Sequence, residues 1–465
     1  WLQKSYRCCI QRGKKQKQIK KMKKLVKSLF LLCLFVNNVW AQDLLEIYQL
    51  GLENDPVLKQ AHANLQAVRE IKSQSIAQLL PTFSVTGSKS RDRFVSQKNT
   101  FRGERDLAVG PNNANQEYWS QHFSLNLVQP VFHWDHWVQL GQSENQIAQA
   151  DADYLAQQQD LMVRITEAYF NVLSAEDTLD FTVKGKEAIA RQLDQARQRF
   201  EVGLIAITDV HEAQAGFDQS RASEISAQIE IDNSKEALRE IIGDTDVSLA
   251  ELGQNLPLIS PVPDDIGAWS QAAEQQNLSI VAALNAAEVA RKAIEIQRSG
   301  HYPTVDFVAN YQESDIDSSS GCDGRSQSLG LQFDVPLFEG GAVISRTRQA
   351  QYQYQQAKER LVETQRSVKR QVRDAFRGVI SSISSVQAFE AAVTSAKSAL
   401  EATEAGFEVG TRTTVDVLGV QRNLFRARRD HARSRYDYLI NSIKLKRAAS
   451  SLIRNDMETL NALLI

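Results

Sequence analysis

Apolar and polar residues alternate along four short stretches of the chain, which is the period of a β-strand with one face against apolar surroundings. The stretches form two pairs, at 82–130 and 304–336, and a proline stands before and after each pair. Each stretch is about ten residues long, the length that a tilted strand needs to cross a bilayer. The alternating apolar residues are Phe83, Val85, Phe123, Leu125, Leu127, Val305, Phe307, Ala309, Tyr311, Leu329, Leu331, Phe333 and Val335.

Polar stretches rich in Gly, Asn and Ser join the strands of each pair, around residues 88–119 and 312–327. They are predicted to be surface loops. Tyr118 and Trp119 at the edge of the first loop suit an aromatic girdle, although ordinary packing explains two aromatic residues equally well. The alternation alone also fits the edge of a soluble β-sandwich. Beyond residue 41 no apolar stretch reaches the roughly 18 residues of a transmembrane helix, so any membrane-embedded part would consist of strands.

Two long segments without proline, 131–256 and 337–465, are dominated by residues that favour helix. In the first of them apolar residues recur at alternating steps of four and three, a heptad seam that indicates coiled-coil packing. A helix from about Gln139 to Phe200 would be roughly 90 Å long. Small seam residues would let helices approach closely in a tube, although a plain dimeric coiled coil has the same seam. The seam residues are Leu161, Ile165, Ala168, Val172, Ala175, Leu179, Ile189, Leu193, Ala196 and Phe200.

The arrangement occurs twice in the chain. Segments 199–210 and 406–417 share Phe-Glu-Val-Gly and, further on, Asp-Val, at an offset of about 207 residues. Each half is predicted to run helix, strand, loop, strand, long helix, tight turn, long helix, which indicates a duplicated and fused repeat. The predicted divisions are 42–256 for the first repeat, with its long helix pair at 131–243, and 257–465 for the second, with its long helix pair at 337–454.

The first 41 residues are predicted to be removed on export. Met22 and the lysines after it, an apolar run, and Ala41 at its end match the three regions of a secretory signal peptide at 22–41. Residues 1–21 are interpreted as a non-native upstream segment. Residues 1–41 hold 11 of the 54 Lys and Arg residues and none of the 56 acidic ones, so the rest of the chain carries a charge of about −13. That balance argues against nucleic acid as a partner.

The remaining residues indicate no catalytic chemistry. Three of the four cysteines lie in the first 41 residues, which leaves Cys322 and no intrachain disulfide. The seven histidines show no metal-ligand spacing in the sequence, and neither a Gly-rich phosphate loop nor a Gly-x-Ser-x-Gly elbow occurs. We therefore expect a protein that is not an enzyme and has no cofactor and no metal.

The order of elements and the two turns at 203–210 and 410–417 resemble the TolC family of outer-membrane exit channels, over 42–463 of the chain. The resemblance implies an α+β membrane protein that forms a homotrimer. Four strands per chain would build a twelve-stranded outer-membrane β-barrel, continued by a periplasmic coiled-coil barrel of α-helices. Independently, four strands are too few to close a barrel, for which about eight are needed.

The resemblance also implies a function in tripartite efflux and type I secretion. In that family a periplasmic adaptor links the channel to an inner-membrane pump, driven by ATP (an ABC transporter) or by protons. The channel itself would conduct drugs, small molecules or proteins passively from the pump to the exterior.

The resemblance places the gate at the helix turns, where weak contacts have to release when an adaptor docks. It implies that Arg412 contacts Thr208 and Asp209 of a neighbouring helix pair, and that Gln192 lies near Glu404 of the same protomer. The implied gating residues are Thr208, Asp209, Arg412, Asp416, Phe407, Gln192 and Glu404, and the implied adaptor-docking residues are Gly203, Leu204, Gly410 and Thr411.

Two positions depart from the family pattern. Phe407 replaces a tyrosine whose hydroxyl would bind the carboxylate of Asp209, and Gly419 stands where a second acidic ring is expected beside Asp416. We therefore predict a looser entrance and weaker block by multivalent cations.

Helix capping is an alternative role for the two carboxylates at the turns. Asp209 and Asp416 each stand at the start of a predicted helix, where a carboxylate commonly accepts hydrogen bonds from backbone N–H groups. Gly203 and Gly410 are predicted to be turn formers in the first place. The two roles are compatible, because the turns themselves would build the docking surface.

Two other functions fit parts of the pattern. A periplasmic adaptor would have long paired helices, but only one hairpin, beside a lipoyl-like or β-barrel region. An extracellular filament or other coiled-coil structural protein would have the Ala- and Gln-rich helices, but it would lack membrane-length alternating strands.

Overall fold

The structure is a computed structural model that describes residues 42–94, 116–245, 247–317 and 323–465. The predicted upstream segment, the signal peptide and Cys322 lie outside these residues. None of the described helices combines the length and the apolar character that crossing a bilayer requires.

Helices and strands follow one another in two similar series. The first series is α1 (Leu44–Asn54), α2 (Pro56–Ala77), β1 (Thr82–Phe94), β2 (Gln116–Phe132), α3 (Trp134–Glu201) and α4 (Ile207–Ile242). The second series is α5 (Ile266–Gln276), α6 (Leu278–Arg298), β3 (Thr304–Asp317), β4 (Gly324–Asp334), α7 (Ala342–Glu408) and α8 (Thr414–Ala448), and α9 (Arg454–Asn461) follows. The repeated order confirms the predicted internal duplication.

The four strands form one antiparallel sheet in the order β1-β2-β3-β4. Its register aligns Phe83, Leu127, Ala309 and Leu329 in one row across the sheet, and the next row consists of Ser84, Asn126, Asn310 and Ser328. Successive residues of a strand point to opposite faces, so one face of the sheet is apolar and the other is polar. The apolar face is open in the single chain, where Phe83 is 65% exposed and Leu329 is 75% exposed.

The strands extend further than their apolar residues. The prediction that residue 88 begins a loop is wrong, because β1 continues to Phe94 and pairs with the start of β2. Polar cross-strand contacts hold this extension: the Ser90 and Ser120 hydroxyls are 2.7 Å apart, and Arg91 donates to Glu117 over 2.6 Å. At the other end β2 runs past the proline that was expected to close it, and the register shifts at a bulge next to Pro130.

The long helices are continuous. α3 has 68 residues and α7 has 67, which corresponds to about 100 Å each. α3 begins at Trp134, within the predicted helix pair at 131–243 and a few residues before the predicted long run from about Gln139, and its N-cap His133 has an extended backbone. The shorter helices α2 and α4 both pack along α3, and α6 and α8 both pack along α7.

The main core lies midway along the long helices, where α1 and α9 pack across them. Tyr169 and Phe170 of α3 are fully buried there, with their rings edge to face at 5.5 Å. The Tyr169 hydroxyl donates to the carbonyl oxygen of Ala250 over 2.8 Å, and burial raises the pKa of this hydroxyl. This core holds the long helices together at their middle, far from both the sheet and the turns.

Candidate gate at the helix turns

The two turns at the far ends of the long helices have the same backbone geometry. After α3 the N–H of Gly203 donates to Phe200 over 2.9 Å and that of Leu204 donates to Arg199 over 2.8 Å. After α7 the N–H of Gly410 donates to Phe407 over 3.1 Å, and the N–H of Thr411 reaches Gly406 over 2.8 Å. This pair of bonds is the Schellman motif, which satisfies the last carbonyls of a helix.

Each motif requires a left-handed residue, and both are glycines as predicted. Gly203 has φ +76° and Gly410 has φ +80°, and a Cβ at either position would meet no other atom within 4 Å. The glycines are therefore needed for their backbone conformation and not for close packing. Gly406 differs, because a Cβ there would come within 2.9 Å of Cγ of Arg412.

The two helices that follow the turns begin differently. α8 starts with a capping box, in which the Thr413 hydroxyl accepts from the N–H of Asp416 over 3.2 Å and Asp416 accepts from the N–H of Thr413 over 2.9 Å. α4 has Ala206 at its N-cap and no side-chain cap. Asp416 therefore caps its helix, whereas Asp209 does not cap α4.

Hydrogen bonding keeps Asp416 ionised. The backbone N–H and the hydroxyl of Thr413 lower the pKa of this carboxyl below its ordinary value, and the nearby charge of Arg412 acts in the same direction. Asp416 is the residue predicted to supply the single acidic ring. Its carboxylate is charged at neutral pH and is held in place by the backbone of its own turn.

Phe407 has a partner that the sequence did not indicate. The guanidinium carbon of Arg199, at the end of α3, lies 4.3 Å from the centre of the Phe407 ring at the end of α7. A cation over an aromatic ring at this distance is a stabilising contact. The contact joins the ends of the two long helices within one chain.

The other predicted gating contacts lie between helix pairs and stay predictions. Thr208 and Asp209 are in the first turn of α4, and Arg412 is in the turn before α8. The contact of Gln192 with Glu404 within one protomer is likewise untested, and the side-chain oxygen of Gln192 is buried without a hydrogen-bond partner among the described residues.

A small separate core lies behind the turns. It consists of Ile189, Leu193, Ala196, Ala213 and Leu418, which belong to α3, α4 and α8. It has no bulky aromatic residue among its fully buried members, and it is not part of the main core. Few apolar contacts of this kind give a region of low local stability.

The tips of the turns expose apolar side chains. Val202 is 70% exposed, Leu204 is 73% exposed and Val409 is 75% exposed. Single exposed apolar residues are common on protein surfaces, but Val202 and Val409 occupy equivalent positions of the two repeats, whereas the equivalent of Leu204 is Thr411. The turns thus present a mixed apolar and polar tip whose backbone is fixed by the two Schellman motifs.

A sheet with an open apolar face, continued by helices of about 100 Å, is the architecture of an outer-membrane channel subunit. The fold is similar to the crystal structure of the Campylobacter jejuni CmeC outer membrane channel, with a TM-score of 0.76 at 16% identity over 91% of this chain and 90% of that one.

The sequence pattern of the family described as "Outer membrane efflux protein" matches residues 47–244 and 269–451, and the chain belongs to this family. It is 40% identical to outer membrane protein TolC of Vibrio cholerae over 91% of this chain and 94% of that protein. It is 37% identical to outer membrane protein TolC of Escherichia coli over 95% of this chain and 89% of that protein.

The chain is therefore an outer-membrane exit duct of the kind that serves efflux and type I secretion, with a helical periplasmic extension. Its family is one of passive channels. This assignment replaces the two alternatives of a periplasmic adaptor and a coiled-coil structural protein.

Proposed function

We propose that three copies of the chain close one continuous duct. The observation that carries the proposal is the four-stranded sheet, whose edge strands β1 and β4 have no partner strand among the described residues. An open sheet edge is not tolerated in hydrocarbon, because its N–H and C=O groups stay unpaired. Pairing β4 of one copy with β1 of the next would satisfy both edges, and three copies would supply the twelve strands of the family barrel.

The two faces of the sheet support this arrangement. The apolar face would contact lipid, and the polar face, with hydroxyl pairs such as Thr86 and Ser124 at 2.6 Å, would line the duct. Exposed aromatic and apolar residues collect where strands give way to helices, as expected at a membrane surface. They are Phe132, Trp134, Trp137, Leu337 and Phe338.

The helices would continue the duct across the periplasm. Their length of about 100 Å exceeds what a compact domain needs, and it is consistent with a tunnel made from α3 and α7 of each copy. Transport through such a tunnel requires no bond-making chemistry. We therefore propose that the chain acts without a catalytic centre and without a cofactor, and that an inner-membrane pump supplies the energy.

The turns would form the gate at the periplasmic entrance. Asp209 is not used as a helix cap, so its carboxylate is available to Arg412 of a neighbouring helix pair, together with Thr208. An exposed ion pair of this kind contributes about 1 kcal/mol or less, which suits a contact that has to be released. Gln192 and Glu404 would add a second weak contact.

A periplasmic adaptor would dock on the turns. The docking residues Gly203, Leu204, Gly410 and Thr411 lie in two rigid Schellman turns with exposed apolar tips. The adaptor would link the duct to a pump of the ABC or proton-driven type. The drugs, small molecules or proteins that the pump delivers would then leave through the duct.

Conductance of the purified protein in a planar lipid bilayer tests the gate. Arg412→Ala is expected to raise the single-channel conductance several-fold, because it removes the cation that holds neighbouring helix pairs together. Arg433→Ala, which removes an exposed arginine further along α8, is the matched control and should leave conductance unchanged. Equal conductance of wild type and Arg412→Ala would contradict the proposed gate.

A further inference from the structure

Four titratable side chains meet where the sheet joins α3. His133 is the N-cap of α3, Asp135 and His136 lie in its first turn, and Asp306 lies on β3 opposite Pro130. His133 Nδ1 is 3.9 Å from Asp135 Oδ1, and His136 Nε2 is 3.6 Å from Asp135 Oδ2. Each of the residues His133, Asp135 and His136 offers one ligand atom, and these three atoms lie within 4.8 Å of one another.

The hydrogen bond of His133 orients its ring. Nε2 of His133 is 3.1 Å from Oδ1 of Asp306, and since a carboxylate only accepts, this nitrogen carries the proton. In the neutral imidazole the other nitrogen, Nδ1, then presents a lone pair toward Asp135. Two electron-rich atoms face each other there with no donor between them, an arrangement that a cation would stabilise.

His136 completes the cluster. Its ring is stacked on that of His133 with a centroid distance of 4.6 Å. Its Nδ1 is buried without a hydrogen-bond partner among the described residues, and its Nε2 is beyond hydrogen-bond reach of Asp135. Among the described residues no hydrogen bond holds this ring, whose Nε2 lies toward the carboxylate.

We propose that His133, Asp135 and His136 bind a divalent transition-metal ion of the Zn²⁺ class at the junction of sheet and helix. Ligand atoms around a tetrahedral Zn²⁺ are about 3.3 Å apart. The three ligand atoms here lie within 4.8 Å of one another, so small movements of the side chains would bring them together around an ion. Two imidazole nitrogens and one carboxylate are ligands that Zn²⁺, Co²⁺ and Ni²⁺ accept.

Asp306 is the positioning residue of this site. A metal-bound histidine commonly donates its other N–H to a carboxylate, which fixes the ring and increases its basicity. Asp306 makes that contact from β3, 173 residues after His133, so the ion would link the start of α3 to the second strand pair. The two carboxylates also offset the positive end of the α3 dipole, which alone would repel a cation.

Zinc titration of the tag-free full-length protein in detergent tests the proposal, with isothermal titration calorimetry for Zn²⁺ and the visible absorption spectrum for Co²⁺. We expect one saturable ion per chain and Co²⁺ bands typical of a nitrogen and oxygen site. Asp135→Asn, which keeps the side-chain volume, and His136→Ala should each weaken Zn²⁺ binding at least tenfold. Asp306→Asn should weaken it about 10- to 100-fold without removing a ligand.

His122→Ala is the matched control, because His122 is an exposed histidine of the neighbouring strand β2, outside the cluster. It should bind Zn²⁺ like wild type. Unheated electrophoresis shows whether each variant still assembles. If Zn²⁺ does not saturate the wild type at one ion per chain, or if the assembled Asp135→Asn protein binds as tightly as His122→Ala, the proposed site is wrong.

Discussion

Asp55 carries out two structural tasks between α1 and α2. It accepts from the N–H of Leu58 over 2.8 Å, which caps α2, and from both terminal nitrogens of Arg164 over 3.0 and 2.7 Å. Burial alone would raise its pKa, but the hydrogen bonds from Arg164 and Leu58 outweigh burial and lower the pKa below the ordinary value. Asp55 therefore stays ionised although its side chain is only 1% exposed.

Asp55→Asn is expected to lower the free energy of unfolding by about 3 kcal/mol, because it leaves the Arg164 guanidinium without its charged partner. Thermal unfolding followed by circular dichroism in detergent measures the loss. Asp151→Asn breaks the exposed pair with Arg69 and should cost less than about 1 kcal/mol. Equal losses in both variants would show that Asp55 acts only as an exposed ion pair.

The same pair predicts a pH dependence. The pKa of Asp55 is depressed in the folded state, so its contribution is fully present above the unfolded-state pKa, near 3.8. The contribution is lost as pH falls through the folded-state pKa. The stability difference between wild type and Asp55→Asn should therefore be constant at neutral pH and shrink below pH 3.8. A difference that stays constant into that acidic range would contradict the assignment.

At the scale of single elements, the two helix turns share one backbone but differ in their caps. Ala206→Thr would give α4 the Thr-x-x-Asp sequence that forms the capping box of α8, now with Asp209. A cap of this kind contributes about 1 kcal/mol. Amide hydrogen exchange in the first turn of α4 should slow about fivefold, while exchange in α8 stays the same. Unchanged exchange in α4 would mean that Asp209 is held elsewhere.

The regular elements could be predicted from the sequence because their signals are local. Strand alternation at Phe83 and Leu329 and the heptad seam around Leu161 need only neighbouring residues. The glycines of both Schellman turns were predicted for the same reason. Strand ends were less predictable, because the ladder at Ser90 and Ser120 depends on pairing with a distant polar segment.

The contacts that distinguish this chain join residues far apart in sequence. Arg199 meets Phe407 only after both long helices have formed. The three ligands of the histidine cluster lie within four residues of one another, so their spacing could be seen in the sequence, but their partner Asp306 comes from the other repeat and could not. The residue three positions earlier decides whether the carboxylate forms a capping box: Thr413 allows it for Asp416, and Ala206 does not for Asp209. This difference could have been predicted from the sequence.

At the scale of the whole molecule, the number of acidic rings should set the block by cations. Gly419 lies one helical turn after Asp416, and a Cβ there would meet no other atom within 4 Å. Gly419→Asp is therefore expected to fold and to add a second ring. Block of single-channel conductance by trivalent cations should tighten at least tenfold relative to the neutral control Gly419→Asn. Equal block of both variants would place these residues outside the conducting path.

Assembly is the property on which the duct depends, since one chain offers four strands with two open edges. Native mass spectrometry of the protein extracted from outer membranes measures the number of chains directly. The account predicts a complex of three chains and no folded monomer in the soluble fraction. A stable monomer, or a complex whose chain number is not three, would contradict it.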